Sequence, residues 1–314
     1  MINLLQFILK RIVYILITLL LISTITFVLM QKLPGSPYGN EEKITAAQRE
    51  VLNQRYGLDK PVAEQYLYYI KGLVRGDLGI SFQFGDQPVN KIISTRVWPS
   101  VQLGIQALIL GSLIGIILGI ISAKFQNTWI DTSSSIIAIL GRSVPNFVFA
   151  VILQLLFAIY LKWLPIGLWN NGFYSTILPT IALSFAPMAD AARFVRTEMI
   201  EVLHSDYIEL ARSTGIGEWE IAVRHGLRNA IIPFITVIGP MVATLLVGSL
   251  VIEQIFAVPG IGEQFVKSIL SNDYYTIMGV TILYSTLLVV VILIVDILYI
   301  LIDPRMRLSR GDKG

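Results

Sequence analysis

Few side chains in this sequence could carry acid–base or nucleophilic chemistry. It has two histidines, His204 and His225, and no cysteine, so neither a disulfide framework nor a thiolate metal site is available. No H-E-x-x-H pair and no nucleophile elbow occurs. The absence of G-x-x-x-x-G-K-[ST] removes P-loop hydrolysis of ATP from the chain itself. The ionisable residues that stand out are Arg142, Asp190 and Asp296, which fall in long apolar runs. A charge at membrane depth is expensive, so it faces protein, water or the interface, and it marks either a substrate path or a pairing inside a helix bundle. Arg142 has two readings: it snorkels to a nearby interface, or it lines a path together with Asn146 and Asp190. Asp190 stands on one helical face with Arg193 and could pair with it, or with Arg142. An acidic group on such a path would attract an ammonium group or a basic side chain.

The elements that hold these charges follow from composition. Hydrophobic residues make up 54% of the 314 positions and charged residues only 14%, and the mean hydropathy is +0.70. Such a chain is an all-α integral membrane protein and not a soluble domain. The net charge of +3 is too small to point to a nucleic-acid partner. Six apolar runs are near the length that crosses a bilayer: Ile12–Met30, Val101–Ile121, Ile136–Leu161, Ile177–Phe194, Ala230–Ile252 and Met278–Ile302. The first is longer than a signal-peptide core and no small-residue cleavage site follows it, so it reads as a retained span. Lys10 and Arg11 precede the first run, Lys124 follows the second, Arg193, Arg196, Arg212, Arg224 and Arg228 cluster after the fourth, and Arg305, Arg307, Arg310 and Lys313 follow the sixth. These clusters share one side, which places both termini in the cytoplasm. Basic residues in the long loop between the first two runs are discounted, because long segments translocate largely regardless of charge. Gly111, Gly115 and Gly119 form a small-residue stripe for close helix packing, and Pro145 is expected to kink the third run. The chain then divides into residues 1–30 (N-terminus and first span), 31–99 (an external helical loop) and 100–314, a five-helix core with a cytoplasmic helical element at about 205–228.

That cytoplasmic element is DYIELARSTGIGEWEIAVRHGLRNAIIP, Asp206–Pro233. Ser205 or Asp206 can cap a helix with Glu209 in its first turn, Gly215 suits the left-handed position that ends it, and a second helix runs from about Glu218 to Arg228. A helix–Gly–helix element between two spans is a docking surface for a soluble partner. In the external loop, Thr45-Ala46-Ala47-Gln48 reads as a capping box for a helix ending at Gly57. Asp59 and Pro61 open another through about Arg75, with Ala63, Leu67, Ile70 and Val74 on one face. Gly76–Gly79 closes it and Gly85-Asp86 reads as a hairpin turn. After the fifth run, Pro259-Gly260 makes a tight turn, and a short helix follows from Gly262 to Ser271 with Asn272 as its cap, an external lid or re-entrant element.

Several of these segments resemble one family. Glu209-Leu210-Ala211, followed after three residues by Gly215, resembles the E-A-A-x-x-x-G pattern of permease subunits of ATP-binding-cassette (ABC) importers. Leu227 is retained downstream, while His225 and Arg228 depart from the general pattern. RHGLRNAIIP (Arg224–Pro233), YGLDKPVAEQYLYYIKGLVRGDLGISF (Tyr56–Phe82), the external residues Glu253, Phe256, Pro259, Gly260, Gly262, Asp273 and Tyr274, and the terminal Asp303-Pro304-Arg305 are similar to the oligopeptide/dipeptide and nickel branch of that family. The resemblance runs from the first span to Arg307. It implies a type I importer permease architecture in a bacterial cell membrane. Glu209, Leu210, Ala211, Gly215 and Leu227 would then couple to an ATPase subunit. The implied partners are a second homologous permease subunit in a heterodimer, two ATP-binding subunits that carry ATP and Mg, an extracellular or lipid-anchored peptide-binding protein, a peptide substrate and membrane lipid. The chain itself needs no cofactor and is not expected to be an enzyme. At Asp190 the resemblance gives no support, because peptide permeases usually carry a neutral residue there. Nickel or glutathione as cargo, or an ion-coupled secondary transporter with sites at broken helices, are the competing readings.

Overall fold

The computed structural model describes residues 4–34, 38, 45–227 and 250–302, and between the last two ranges residues 230, 231, 234, 238, 239, 241, 242 and 245. Much of the expected fifth span, together with Arg228, Pro233, Asp303-Pro304 and the basic tail from Arg305, lies outside the described residues. All regular elements among those described are helices: α1 (Leu4–Gln31), α2 (Ala46–Tyr56), α3 (Val62–Val74), α4 (Val89–Lys124), α5 (Trp129–Ser143), α6 (Asn146–Leu153, continuing as a π-helix over Gln154–Tyr160), α7 (Phe173–Leu203), α8 (Asp206–Ser213), α9 (Glu218–Glu220, continuing as a π-helix over Ile221–Leu227), α10 (Leu250–Ile255), α11 (Ile261–Leu270) and α12 (Tyr274–Ile302). Three of them are long and apolar enough to cross a membrane, over Gln6–Gln31, Val89–Lys124 and Tyr274–Leu298, and a fourth if α5 and α6 count as one broken span. The third run is therefore not the single kinked helix expected over Ile136–Leu161. It breaks at Val144-Pro145 into two helices bent by 100°. The cause is local: Pro145 has no N–H to continue the ladder, and its ring drives Val144 to an extended φ of −84° and ψ of 126°.

The chain forms two compact units, each assembled from distant segments. One comprises Ile2–Trp98 and Gly260–Val289. The expected capping box is present, with Thr45 and Gln48 exchanging hydrogen bonds at the start of α2. Gly85-Asp86 forms the expected tight turn, flanked by an antiparallel bridge between Ile80 and Pro88. The packed face of α3 differs from the expected one. Leu67 and Val74 are exposed, while Tyr66, Tyr69, Ile70 and Leu73 pack with Phe27, Met30, Ile277 and Met278. The rings of Tyr66 and Tyr69 lie 5.3 and 6.0 Å from that of Phe27. Aromatic area outweighs the aliphatic stripe, and the Tyr66 hydroxyl also gains Thr24 Oγ1 at 2.6 Å.

The second unit comprises Pro99–Pro259 and Val290–Gly314, and α7 runs through its centre. The glycine stripe of α4 lies directly on the α7 backbone. A Cβ at Gly111 would sit 2.5 Å from the Ser184 carbonyl oxygen, and one at Gly119 2.9 Å from that of Ala192. At Gly115 it would run into the carbonyl of Met188. Backbones this close tolerate no side chain, which is the geometry expected of the stripe. Further along, Ile120, Ala123, Val195, Met199, Leu203, Ile208, Ile221 and Phe234 form one core that joins α4 and α7 to α8 and α9.

Candidate functional site

Arg142, Asp190 and Asn146 come from α5, α7 and the first residue of α6. The break at Pro145 ends α5 right after Ser143, so Arg142 sits in a terminal turn. Its guanidinium Nη1 donates to Asp190 Oδ2 at 3.2 Å. Of the two partners open to Asp190 in the sequence, the structure has Arg142 and not Arg193. The pair edges a cavity of about 360 Å³ between α4, α5 and α7, walled by Ser122, Ser134, Ser135, Ser143, Arg193, Arg196 and Thr197 among others. Asn146 is not among its lining residues. Arg196 on the same cavity wall belongs to a stronger pair that the sequence reading missed. Asp131, buried in the first turn of α5, accepts from Arg196 Nε at 2.7 Å and Nη2 at 2.8 Å. It also accepts from the Ser122 hydroxyl and from the Asn127 N–H. A bidentate Arg–carboxylate pair with every oxygen lone pair engaged is a rigid junction, here fixing α4, α5 and α7 to one another. Two residues beyond Arg196 along α7, burial and the nearby Glu201 push the Glu198 carboxyl up.

From α7 the chain turns into α8. Ser205 occupies the N-cap position but does not cap the helix, contrary to expectation: its hydroxyl donates backwards to the Val202 carbonyl at 2.6 Å. The C-terminal end is as expected. Gly215 has φ +84°, and its N–H reaches the Arg212 carbonyl while that of Ile216 reaches Ala211, a Schellman closure. Arg212 and Glu218 bridge the turn at 3.0 Å, and Lys124, at the end of α4, stands 3.7 Å over the Trp219 ring. The second helix begins at Glu218 as expected, but from Ile221 it is wound as a π-helix. Among the expected coupling residues, Glu209 is exposed and Leu210 is 66% exposed, as is neighbouring Tyr207 at 46%. Ala211 and Leu227 are turned inward, half-buried against the shared core beside the fully buried Ile208. The outward face of α8 is thus Tyr207, Glu209 and Leu210. Leu210 and Tyr207 are therefore apolar side chains left exposed on a helix whose opposite side, through Ile208, is buried in the core.

The residues expected on the external side are structural anchors in their own units. Glu253 is fully buried and accepts from Ser100 Oγ at 2.7 Å, and Phe256 packs with Leu103, Ala107 and Leu178. Pro259 is partly buried, Gly260 takes the N-cap position of α11 and Gly262 is buried one residue inside it. Asp273 is buried and accepts from the hydroxyls of Ser81 and Thr276 and from the Phe82 N–H at 3.2 Å. It ties the turn at Ser81-Phe82 to the start of α12, whose first residue, Tyr274, packs against the cluster of Phe27, Met30 and Tyr69. Asn272, with φ +54°, closes α11 as expected.

Long apolar helices, one of them a broken pair, place the chain among integral membrane proteins. Residues 115–308 match the family of binding-protein-dependent transport system inner membrane components, and residues 4–97 match the N-terminal component of the same systems. This chain belongs to that family. It is 49% identical to the dipeptide transport system permease protein DppB of Lactococcus lactis subsp. cremoris, over 96% of this chain and 99% of that protein. It is 41% identical to DppB of Bacillus subtilis, over 97% and 99%, and 40% identical to the oligopeptide permease OppB of Escherichia coli K12, over 96% and 99%. A chain of the MetNI methionine ABC transporter, solved in inward-facing conformations, shares the fold. The TM-score is 0.58 at 17% identity, over 69% of this chain and 99% of that one. The fold is therefore that of an ABC importer permease embedded in the inner membrane.

Proposed function

We propose that this chain is the peptide-conducting permease subunit of an ATP-driven importer, with both termini in the cytoplasm and six spans. It works beside a second homologous permease, two ATP-binding subunits and an external peptide-binding protein. ATP and Mg reside on the ATP-binding subunits, and α8 is the coupling helix. The observation that carries the reading is the exposed Leu210 on a short helix whose other side, through Ile208, is buried in the core shared with α7. A push on that helix reaches α7, and with it the Arg142–Asp190 pair at the cavity. ATP must bind the outward-open assembly more tightly than the inward one for any shift to occur. The three-part division at residues 30 and 99, and the lining of the path by Arg142, Asn146 and Asp190, belong to the same reading.

The test is uptake of labelled di- and oligopeptides into vesicles that hold the complete complex. Expected is uptake that needs ATP and the ATP-binding subunits. Uptake that persists without those subunits and collapses with an ion gradient would replace this reading by a secondary transporter.

A further inference from the structure

The pairing of Asp190 with Arg142 leaves Arg193 without a carboxylate. Three arginines line the cavity. Arg142 is matched by Asp190, and Arg196 by Asp131. Arg193 lines the same wall, and its side chain has neither a hydrogen bond nor an ion pair among the described residues. Neighbouring hydroxyls from Ser134 and Ser135 complete a polar patch. The cavity wall thus carries one exposed arginine without a counter-charge, together with hydroxyls, bordering a space of about 360 Å³, a volume in the range of small-ligand sites.

We infer that this cavity is a binding site for the free α-carboxylate of a peptide in transit, with Arg193 as the residue that holds it. The inference rests on the peptide-permease reading above. A permease that passes peptides of many sequences can recognise only what they share, and every linear peptide carries one α-carboxylate and one α-ammonium. Arg193 supplies a planar fork for the first. Asp190, only 21% exposed and held by a single 3.2 Å bond, can exchange Arg142 for the second at modest cost.

The chain has no cysteine, so a cysteine placed at Ser135 reports on the cavity alone when the partner subunits are also cysteine-free. The complete complex carrying Ser135→Cys is held in phosphatidylcholine nanodiscs and treated with a small neutral maleimide. Millimolar trialanine should slow labelling, and trialanine amide should not. Arg193→Gln should weaken the protection by about tenfold in peptide concentration, and Arg193→Lys should keep part of it. Uptake should agree: Arg193→Gln lowers the ratio of free-acid to amide transport, with binding-protein affinities measured separately. Equal protection by acid and amide, protection by neither, or protection unchanged in Arg193→Gln would overturn the site. So would protection by phosphatidylglycerol without peptide, which would make the occupant a lipid phosphate. Loss of all peptide uptake by the unmodified complex would instead remove the peptide-permease reading, so the two failures are distinguishable.

Discussion

Two ion pairs of the same chemical type should behave differently when broken. Asp131 is buried and bound by two guanidinium nitrogens, a hydroxyl and a backbone N–H. Asp131→Asn leaves Arg196 without its counter-charge, and the expected loss is about 3 kcal/mol, the lower end of the range for one-sided removal of a buried partner because Arg196 is partly solvated. The double change Asp131→Asn with Arg196→Gln should recover part of that loss. Arg142 is 65% exposed and makes one 3.2 Å contact, so Arg142→Gln should cost under about 1 kcal/mol. Thermal unfolding of the detergent-solubilised protein measures both. An Arg142→Gln loss as large as that of Asp131→Asn would make the cavity pair structural and remove its place on a substrate path. The Arg142–Asp190 pairing was one of two that the sequence left open, whereas the Asp131–Arg196 pairing could not be read from it. Asp131 and Arg196 each sit just beyond the edge of an expected apolar run, where a charge needs no partner, and only the packing of α5 on α7 brings them together.

At the scale of the helix, the sequence was most legible where the cause is local. The capping box at Thr45, the closure at Gly215 and the tight turn at Gly85-Asp86 depend on a few neighbouring residues. The glycine stripe of α4 was legible as a packing signal too, although its partner was not. Because its glycines lie on the α7 backbone, Gly115→Leu has nowhere to put its side chain, and the expected cost is about 1–3 kcal/mol with lower membrane yield. Normal thermal stability of that variant would contradict the close approach. What local reasoning missed are the choices made by competition between helices. Tyr66 and Tyr69 took the place of Leu67 and Val74 on the packed face of α3, and a proline read as a kink became a 100° break because Pro145 has no N–H to continue the ladder and holds Val144 extended.

Across the whole molecule, the orientation and the coupling can be tested on one cysteine-free background. A cysteine at Asn53 or Ser271 should react with an impermeant thiol reagent from outside sealed cells, and one at Ser213 should react only after permeabilisation. External labelling at Ser213 would invert the topology. Coupling is the more demanding question, because a helix such as α8 can be broken in two ways. Ala211 is half-buried against the chain's own core, so bulk at that position would disturb the permease and say nothing of a partner. Gly215→Val strains the closure by about 1–2 kcal/mol and would test the shape of the helix, not its contacts. The Leu210 side chain is exposed and joins no core cluster among the described residues, so Leu210→Asp should leave folding, insertion and unfolding temperature unchanged. If the face of α8 enters a cleft of an ATP-binding subunit, that same change puts an unpaired charge into an apolar contact, and binding should weaken by about tenfold or more. The ATP-binding subunits should then be lost on purification, or their hydrolysis should no longer rise when peptide and binding protein are added. Full peptide-stimulated hydrolysis by a stoichiometric Leu210→Asp complex would show that this helix is a solvated hairpin and that force enters the permease elsewhere.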